Sequence, residues 1–406
     1  MKLVENLYNK QAQDHIYVTI DARAEQRLQR GYPWIFRSEI VGPSPEGRGV
    51  LADFVSEKGK VAGRGYYNEL TQLAGRVLDF DGTRKINFDF FHARLSAALS
   101  FRESLYAGRP FYRWVHAESD GLPGLVIDRF DDVIVLQINT AGMQSFYPMI
   151  KEAIISLLNP RAIILRNDTP VRAMEGLDQA VLLDHGQLPQ PKIEITENGA
   201  RFLVDVLDGQ KTGWFFDQRD NRAHVASLSA GKTMVDVFSH TGGFGIAAAV
   251  AGATAVSFID SSHAAIEGAM KNAEINKVYQ RCNGIEGKAF DVLETMARGQ
   301  QKFDVVSVDP PAFIKTRKDM GSGLKGYEKL ARIAAPIVAK GGVLFFASCS
   351  HHASLEDLKQ AAVIGIGKSK RPFQIIRTGF AAPDHPVHPH LPETGYLKAL
   401  TFRFID

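Results

Sequence analysis

The stretch "DVFSHTGGFGIAAAVAGA", residues 236 to 253, is an apolar strand that enters a glycine-rich turn and continues as an alanine-rich helix. Gly242, Gly243 and Gly245 let the backbone take positive φ angles and come close to a ligand. Their spacing is G-G-x-G after Ser-His-Thr, which is not the G-x-G-x-x-G of a dinucleotide fold. Glycine-rich strand-to-helix turns occur in many unrelated α/β proteins, so the flanking pattern decides. Strands are expected at "TMVDVFS", "AVSFIDS", "GKAFDV", "FDVVSVDPP" and "GVLFFAS", with helix-length segments between them. This alternation predicts a mainly parallel, doubly wound sheet that binds its ligand beyond the carboxyl ends of the strands.

Those strand ends carry acids. "FID" places Asp260 24 residues after Asp236, where a carboxylate suits the two hydroxyls of a ribose. The third segment supplies Asp291, and the fourth ends in "DPPAF", residues 309 to 313. Any one of these acids could equally be a helix cap or a surface carboxylate. Taken jointly they resemble the class I (Rossmann-like) S-adenosylmethionine-dependent methyltransferases. That resemblance implies that Phe238, Ser239, Thr241, Gly242 and Gly243 cradle the methionine part of the cofactor. It also implies that Asp260 and Ser261 take the ribose, that Asp291 takes the adenine amino group, and that Asp309 lies at the same edge.

Upstream, residues 15 to 82 read as short strands with Gly and Pro punctuation ("IYVTID", "GVLADFVSE", "KVAGRGYYN", "QLAGRVLDF"). A helix is expected over 88 to 107, a hairpin over 119 to 139, a helix over 143 to 158 and a strand at "AIILRND". The expected organisation is a β-rich domain at 1–82, a small mixed α/β domain at 83–190 and the α/β sheet domain at 191–406. Three longer segments, "DGQKTGWFFDQRDNR" (208–222), "DPPAF" with "SCS", and "DHPVHPHLPETGYLK" (384–398), carry a closer resemblance. They are similar to the bacterial 23S ribosomal RNA large-subunit cytosine-5 methyltransferase family, whose N-terminal domain is a PUA fold like "YPWIFRSEI" through "GRVLDFD" here. The resemblance implies RNA binding by the PUA-like domain, rRNA processing as the activity class, and Gln218 as a contact to the amino-acid end of the cofactor.

Among 406 residues there are two cysteines, too few for a disulfide framework or a CxxC zinc site. The first residues hold no signal-like apolar run, so a cytoplasmic protein with no membrane partner is expected. Net charge is only +3, yet residues 310 to 340 hold seven Lys or Arg against Asp319 and Glu328, and "GKSKRPFQIIR" (367–377) holds four with no acid. Such runs are either solvated faces or phosphate-binding surfaces. Lys211, Arg222, Phe313, Lys315 and Arg317 are the candidate RNA contacts, with an ion pair to Asp217 or Asp220 as the competing reading of Arg222. His385, His388 and His390 fit no standard zinc spacing, and no metal is expected.

Cys349, in "FFASCSHHAS", follows the strand next to "DPPAF". C5 of cytosine is a weak nucleophile, and thiolate addition at C6 makes C5 enamine-like, which divides one hard step into easier ones. Cys349 is therefore the expected nucleophile and Asp309 its catalytic partner, hydrogen-bonding N3 and the amino group of a flipped or single-stranded base. Enzymes of the two-cysteine type carry a second cysteine near Asp-Pro-Pro; this chain has Ala312 there, which leaves the base that removes the C5 proton open. Cys282 is expected to be structural, between the second and third strands. Two alternatives stand beside this reading: methylation of a base nitrogen without covalent catalysis, and a noncatalytic ribosome assembly factor with a methyltransferase fold. The expected partner is large-subunit ribosomal RNA or its assembly intermediate, with a homodimer left open.

Overall fold

The computed structural model describes residues 15–209 and 212–406, which divide into two compact units. The first comprises the chain up to Ile193 with Asp205–Trp214 and Asp384–Leu391; the second comprises Glu194–Val204, Phe215–Pro383 and Pro392–Asp406.

The first unit opens with strand β1 (Ile16–Ile20) and helix α1 (Ala22–Gln29), whose first turn is capped by Asp21 Oδ1 accepting from the Ala24 N–H at 2.7 Å. Strands β2 (Trp34–Phe36), β3 (Arg48–Ser56), β4 (Val61–Asn68) and β5 (Leu73–Asp79) complete a sheet in the order β1-β3-β4-β5-β2. Val18, Ile20, Leu28, Ile35, Phe54 and Tyr67 fill its core. A Cβ at Gly75 would stand 2.6 Å from the Phe54 ring, so the sheet closes on that ring only with glycine there. The four strands expected from the sequence are present. Helix α1 and β2 were not anticipated, because α1 buries only Ala24 and Leu28, too thin a stripe to register as periodicity.

The same unit continues with α2 (Phe88–Leu105), β6 (Phe111–His116), β7 (Leu125–Phe130), β8 (Val133–Ile138), α3 (Ala141–Leu158), β9 (Ala162–Asn167), the short α4 (Val171–Met174) and β10 (Ala180–Gly186). Its second sheet runs β10-β9-β8-β7-β6, and β8 pairs parallel to β9 because α3 crosses between them. The Pro-rich loop Asp384–Leu391 is fastened into this unit by its first residue. Arg102, bidentate to Asp120 at 2.6 and 2.8 Å, also donates to the Asp384 carbonyl, and Asp384 Oδ2 accepts from the Arg113 N–H at 3.0 Å. Asp384 Oδ1 lies 2.9 Å from His385 Nδ1, so this histidine is a buried partner of a carboxylate.

The second unit contains most of the hairpin of β11 (Lys192–Glu197) and β12 (Ala200–Asp205), then α5 (Arg219–Ser227), β13 (Thr233–Val237), α6 (Gly243–Val250), β14 (Ala255–Asp260) and α7 (His263–Ile275). It continues with β15 (Cys282–Glu286), α8 (Ala289–Arg298), β16 (Phe303–Val308), α9 (Met320–Ala334), β17 (Val338–Ser348), α10 (Leu355–Gly367), β18 (Phe373–Phe380) and β19 (Lys398–Phe404). The sheet order is β15-β14-β13-β16-β17-β19-β18, with β19 antiparallel to both neighbours and the other pairs parallel. This Rossmann-like sheet changes direction between β13 and β16, which opens a crevice at their carboxyl ends.

Three strands differ from expectation: β18 and β19 extend the sheet beyond the five expected strands, and the third strand lies elsewhere in the chain. The third strand is β15, "CNGIE", and "KAFDVL" is the opening of α8, so Asp291 lies in a helical first turn and Cys282 begins the strand itself. "KAFDVL" looks strand-like over six residues, but the buried set Ala289, Leu293 and Met296 follows the helical period. "CNGIE" is polar because β15 is the edge of the sheet and only partly buried.

Candidate active site

The loop after β13 is shaped for a close ligand. Phe238 and His240 adopt positive φ of 61° and 47°, and Gly242 follows at 81° as the residue before α6. Non-glycine residues in that region are strained and persist where surrounding contacts impose them. Here the contacts are explicit: Asp260 Oδ2 accepts from the His240 N–H and Oδ1 from the Ser262 N–H, each at 2.9 Å, while Asn272 Nδ2 donates to the Thr241 carbonyl at 2.9 Å. Under the loop, buried Asp236 accepts from the Gly245 N–H at 2.8 Å. Burial, with the Asp309 and Asp260 charges adding to it, holds the Asp236 carboxyl well above the usual carboxylate range. Gly245 cannot carry a side chain, since its Cβ would stand 2.4 Å from the Phe258 ring.

The expected cofactor residues Phe238, Ser239, Thr241, Gly242, Gly243, Asp260 and Ser261 therefore fall on one loop and the end of its neighbouring strand. Asp291 is exposed on the first turn of α8, next in the chain to β15. The Ser239 hydroxyl is buried without a hydrogen-bond partner among the described residues. An orphaned hydroxyl beside a positive-φ, glycine-walled turn fits a polar ligand group that completes its bonding. The residues present thus suit S-adenosylmethionine.

Across the switch point, Asp309 directly follows β16. Its Oδ2 accepts from Gln218 Nε2 at 2.9 Å, Gln218 Oε1 accepts from Asn221 Nδ2 at 2.7 Å, and Asn221 Oδ1 accepts from Arg377 Nη1 at 3.0 Å. Gln218 is buried with its amide engaged at both ends, so it orients Asp309 first and has one remaining N–H for any ligand.

Cys349 leaves the end of β17, which runs parallel to β16 with Val308 opposite Phe346. The thiol is half-buried, whereas Ser348 and Ser350 on either side are fully buried. Tyr327 of α9 holds both serines, accepting from Ser348 Oγ and sharing a bond with Ser350 Oγ, each at 2.8 Å. The Ile314 N–H of the "DPPAF" loop also bonds Ser350 Oγ at 3.2 Å. With both neighbours pinned to Tyr327, Cys349 is the partly accessible residue of the three. Cys282 differs: burial pushes its thiol up to about 11, which suppresses the thiolate.

The candidate RNA contacts divide. Lys315 and Arg317 are exposed, and neither side chain has a partner among the described residues. Phe313 is half-buried, its ring 4.7 Å from Tyr327 and 6.3 Å from Phe290, so part of it already packs against protein. Lys211 lies outside the described residues. Arg222 is a correction: it is buried, bonds both oxygens of Glu197 at 2.6 and 3.1 Å and donates to the Phe215 carbonyl at 2.7 Å. Glu197 sits on the β11–β12 hairpin, a partner in space that chain proximity to Asp217 and Asp220 could not suggest. The basic segment 367–377 is likewise partly structural, with Arg371 bonded to Asp406 and to three carbonyls and Arg377 to Asn221. Arg222→Met is expected to lower the unfolding free energy by about 3 kcal/mol, since Glu197 loses its principal partner. Urea unfolding measures this, and the salt dependence of RNA binding should stay the same.

Residues 18–80 match the model of the PUA-like domain, and residues 178–361 match that of an S-adenosylmethionine-dependent methyltransferase. Proteins named ribosomal RNA large subunit methyltransferase I are similar along nearly the whole chain. The one from Shewanella frigidimarina is 34% identical over 394 residues, 96% of this chain and 99% of the relative. The Aeromonas salmonicida protein is 35% identical over 397 residues, with the same coverage. Among solved structures, a putative methyltransferase complexed with SAH has a TM-score of 0.83 at 21% identity, covering 96% of this chain and all of the other. A putative methyltransferase from Streptococcus mutans has a TM-score of 0.80 at 20% identity, again covering 96% of this chain and all of the other. At that identity these two establish the fold.

Proposed function

We infer the reaction from one premise: this chain belongs to the ribosomal RNA large subunit methyltransferase I family and is an S-adenosylmethionine-dependent methyltransferase of ribosomal RNA. The reading that the site supports best is formation of 5-methylcytosine in large-subunit ribosomal RNA through a covalent adduct at Cys349. The observation that carries it is a half-buried thiol between two serines pinned to Tyr327, at the end of the strand next to the one that Asp309 follows.

The loop Phe238–Gly243 would hold the cofactor, with Asp260 and Ser261 toward its ribose and Asp291 toward its adenine; when bound it would supply an electrophilic methyl group and leave as the thioether S-adenosylhomocysteine. Cys349 forms its Sγ–C6 bond to the cytosine, and the C5–C6 electron pair becomes available at C5 for the new C–CH3 bond. N3 takes a proton from water as the thiolate adds and gives it back when the adduct breaks, and in between Asp309, fixed by Gln218, accepts from that N3–H and from the amino group. Loss of the C5 proton to a base then restores the C5–C6 double bond and breaks Sγ–C6, returning the thiolate. The PUA-like region and the loop bearing Lys315 and Arg317 hold the RNA, and Phe313 walls the base. A ribosomal RNA substrate is the ground for placing the protein in the cytoplasm. Among the described residues no helix is long and apolar enough to cross a membrane.

The direct test is transfer of a labelled methyl group to ribosomal RNA, followed by mass mapping of the modified nucleoside. 5-Methylcytidine is expected; a base methylated on nitrogen would refute the assignment, and RNA left unlabelled by a protein that binds the cofactor would favour an assembly factor. The double variant K315A/R317A should weaken RNA binding at every sequence tested and lower the salt slope of log K by about 1 to 2, with cofactor affinity unchanged. Binding measured across a salt series reads this.

A further inference from the structure

We propose that Lys398 is the positioning residue that holds Cys349 as a thiolate, by placing a buried cation inside the turn that the cysteine opens. The proposal rests on the reading of Cys349 as the nucleophile. Lys398 begins β19 and stands opposite Ser348 in the β17–β19 ladder, one residue before the thiol. It is 5% exposed, and its Nζ donates to the carbonyls of Ser350 at 2.8 Å and Ala353 at 2.5 Å. Both acceptors lie just after Cys349 in the chain. A buried ammonium at this spot has an evident cost, and carbonyl dipoles offset only part of it.

Burial pushes the Lys398 ammonium toward neutrality, while negative charge on Cys349, and on Asp357, acts to keep it protonated. Such coupling is reciprocal: the favourable term that a thiolate gives the ammonium is the term that the ammonium gives the thiolate. The other titratable groups described around the turn are a phenol, two acids and two exposed imidazoles. Tyr327, from α9, is a phenol that burial keeps neutral. Asp309, from β16, is an acid and opposes a second negative charge. Asp357, from α10, accepts from the Ser354 N–H and hydroxyl. His351 and His352 are exposed, and His351 Nδ1 lies 3.2 Å from the Glu393 carbonyl.

A purely structural lysine would also tie the turn, so the test must read charge. In the full-length protein carrying Cys282→Ser, Cys349 alone reacts with iodoacetamide, and its alkylation rate is followed from pH 5.5 to 9.5 without RNA or cofactor. Lys398→Met is expected to move the profile upward by about one pH unit, a roughly ten-fold slower reaction at pH 7. Lys398→Gln, which keeps a hydrogen-bond donor but not the charge, should shift it equally, and Lys398→Arg should stay within about three-fold of the parent. Methylation should lose kcat in Lys398→Met and Lys398→Gln with KM for RNA little changed, and should recover as pH rises. An unshifted profile in folded Lys398→Gln, or an equal shift in Lys398→Arg, overturns the proposal. If Cys349→Ala still methylates, the nucleophile reading falls, and the alkylation profile still decides the charge effect on its own.

Discussion

Replacing Cys349 with alanine is expected to lower the rate of methyl transfer by about a thousand-fold or more, equivalent to about 4 kcal/mol of transition-state stabilisation. The size follows from the substrate: without a bond at C6, cytosine C5 offers too little electron density to attack a methyl group. The structure isolates the effect, because Cys349 is only half-buried and its neighbours Ser348 and Ser350, which carry the packing to Tyr327, are untouched. Cofactor affinity, measured by calorimetry, should stay within about three-fold of the parent. RNA containing 5-fluorocytidine should trap the parent as a covalent complex, since fluorine at C5 blocks the final elimination, and should not trap Cys349→Ala. A variant that retains a tenth of the parent rate would sink the covalent mechanism.

The second large effect is expected at Asp309. Asp309→Asn should reduce kcat by about 10² to 10³, within the range for a group that moves or holds a proton in the transition state. Asn keeps the shape and a carbonyl oxygen able to accept from Gln218 Nε2, so the chain through Asn221 to Arg377 survives the change. What disappears is the negative charge facing the base. RNA affinity should therefore change little while single-turnover chemistry slows, and a variant with normal single-turnover rates would remove Asp309 from the mechanism. Asp236 supplies a control, because Asp309 is among the charges that hold its carboxyl high; the variant should bring the Asp236 pKa down.

Legibility differed by site. The glycine turn at 242–245 and the strand-end acids Asp260 and Asp309 could be located because they follow short apolar runs, and strand-then-turn is a local pattern. "KAFDVL" misled for the same reason: six residues do not separate a strand from the first turns of an amphipathic helix. Nothing in "GYLKAL" marks Lys398 as buried, since a lysine at the head of a strand is compatible with a solvent-facing end. Its burial becomes visible only once Ser350 and Ala353 turn their carbonyls toward it.

Arg222 and Arg377 show the boundary most clearly. Both belong to basic or mixed-charge segments whose composition allows an RNA-facing surface, yet one is buried against Glu197 and the other ends a polar chain that orients Asp309. Composition and spacing were sufficient for the alternating α/β architecture, the cofactor turn and the order of reactive residues along the chain, because each depends on contacts within a few residues. The partner of each charged side chain was decided by the folded sheet and its flanking hairpin. Electrostatic pairing depends on distance in space and on the loss of water, and residues 25 or 156 positions apart meet only after the chain has packed.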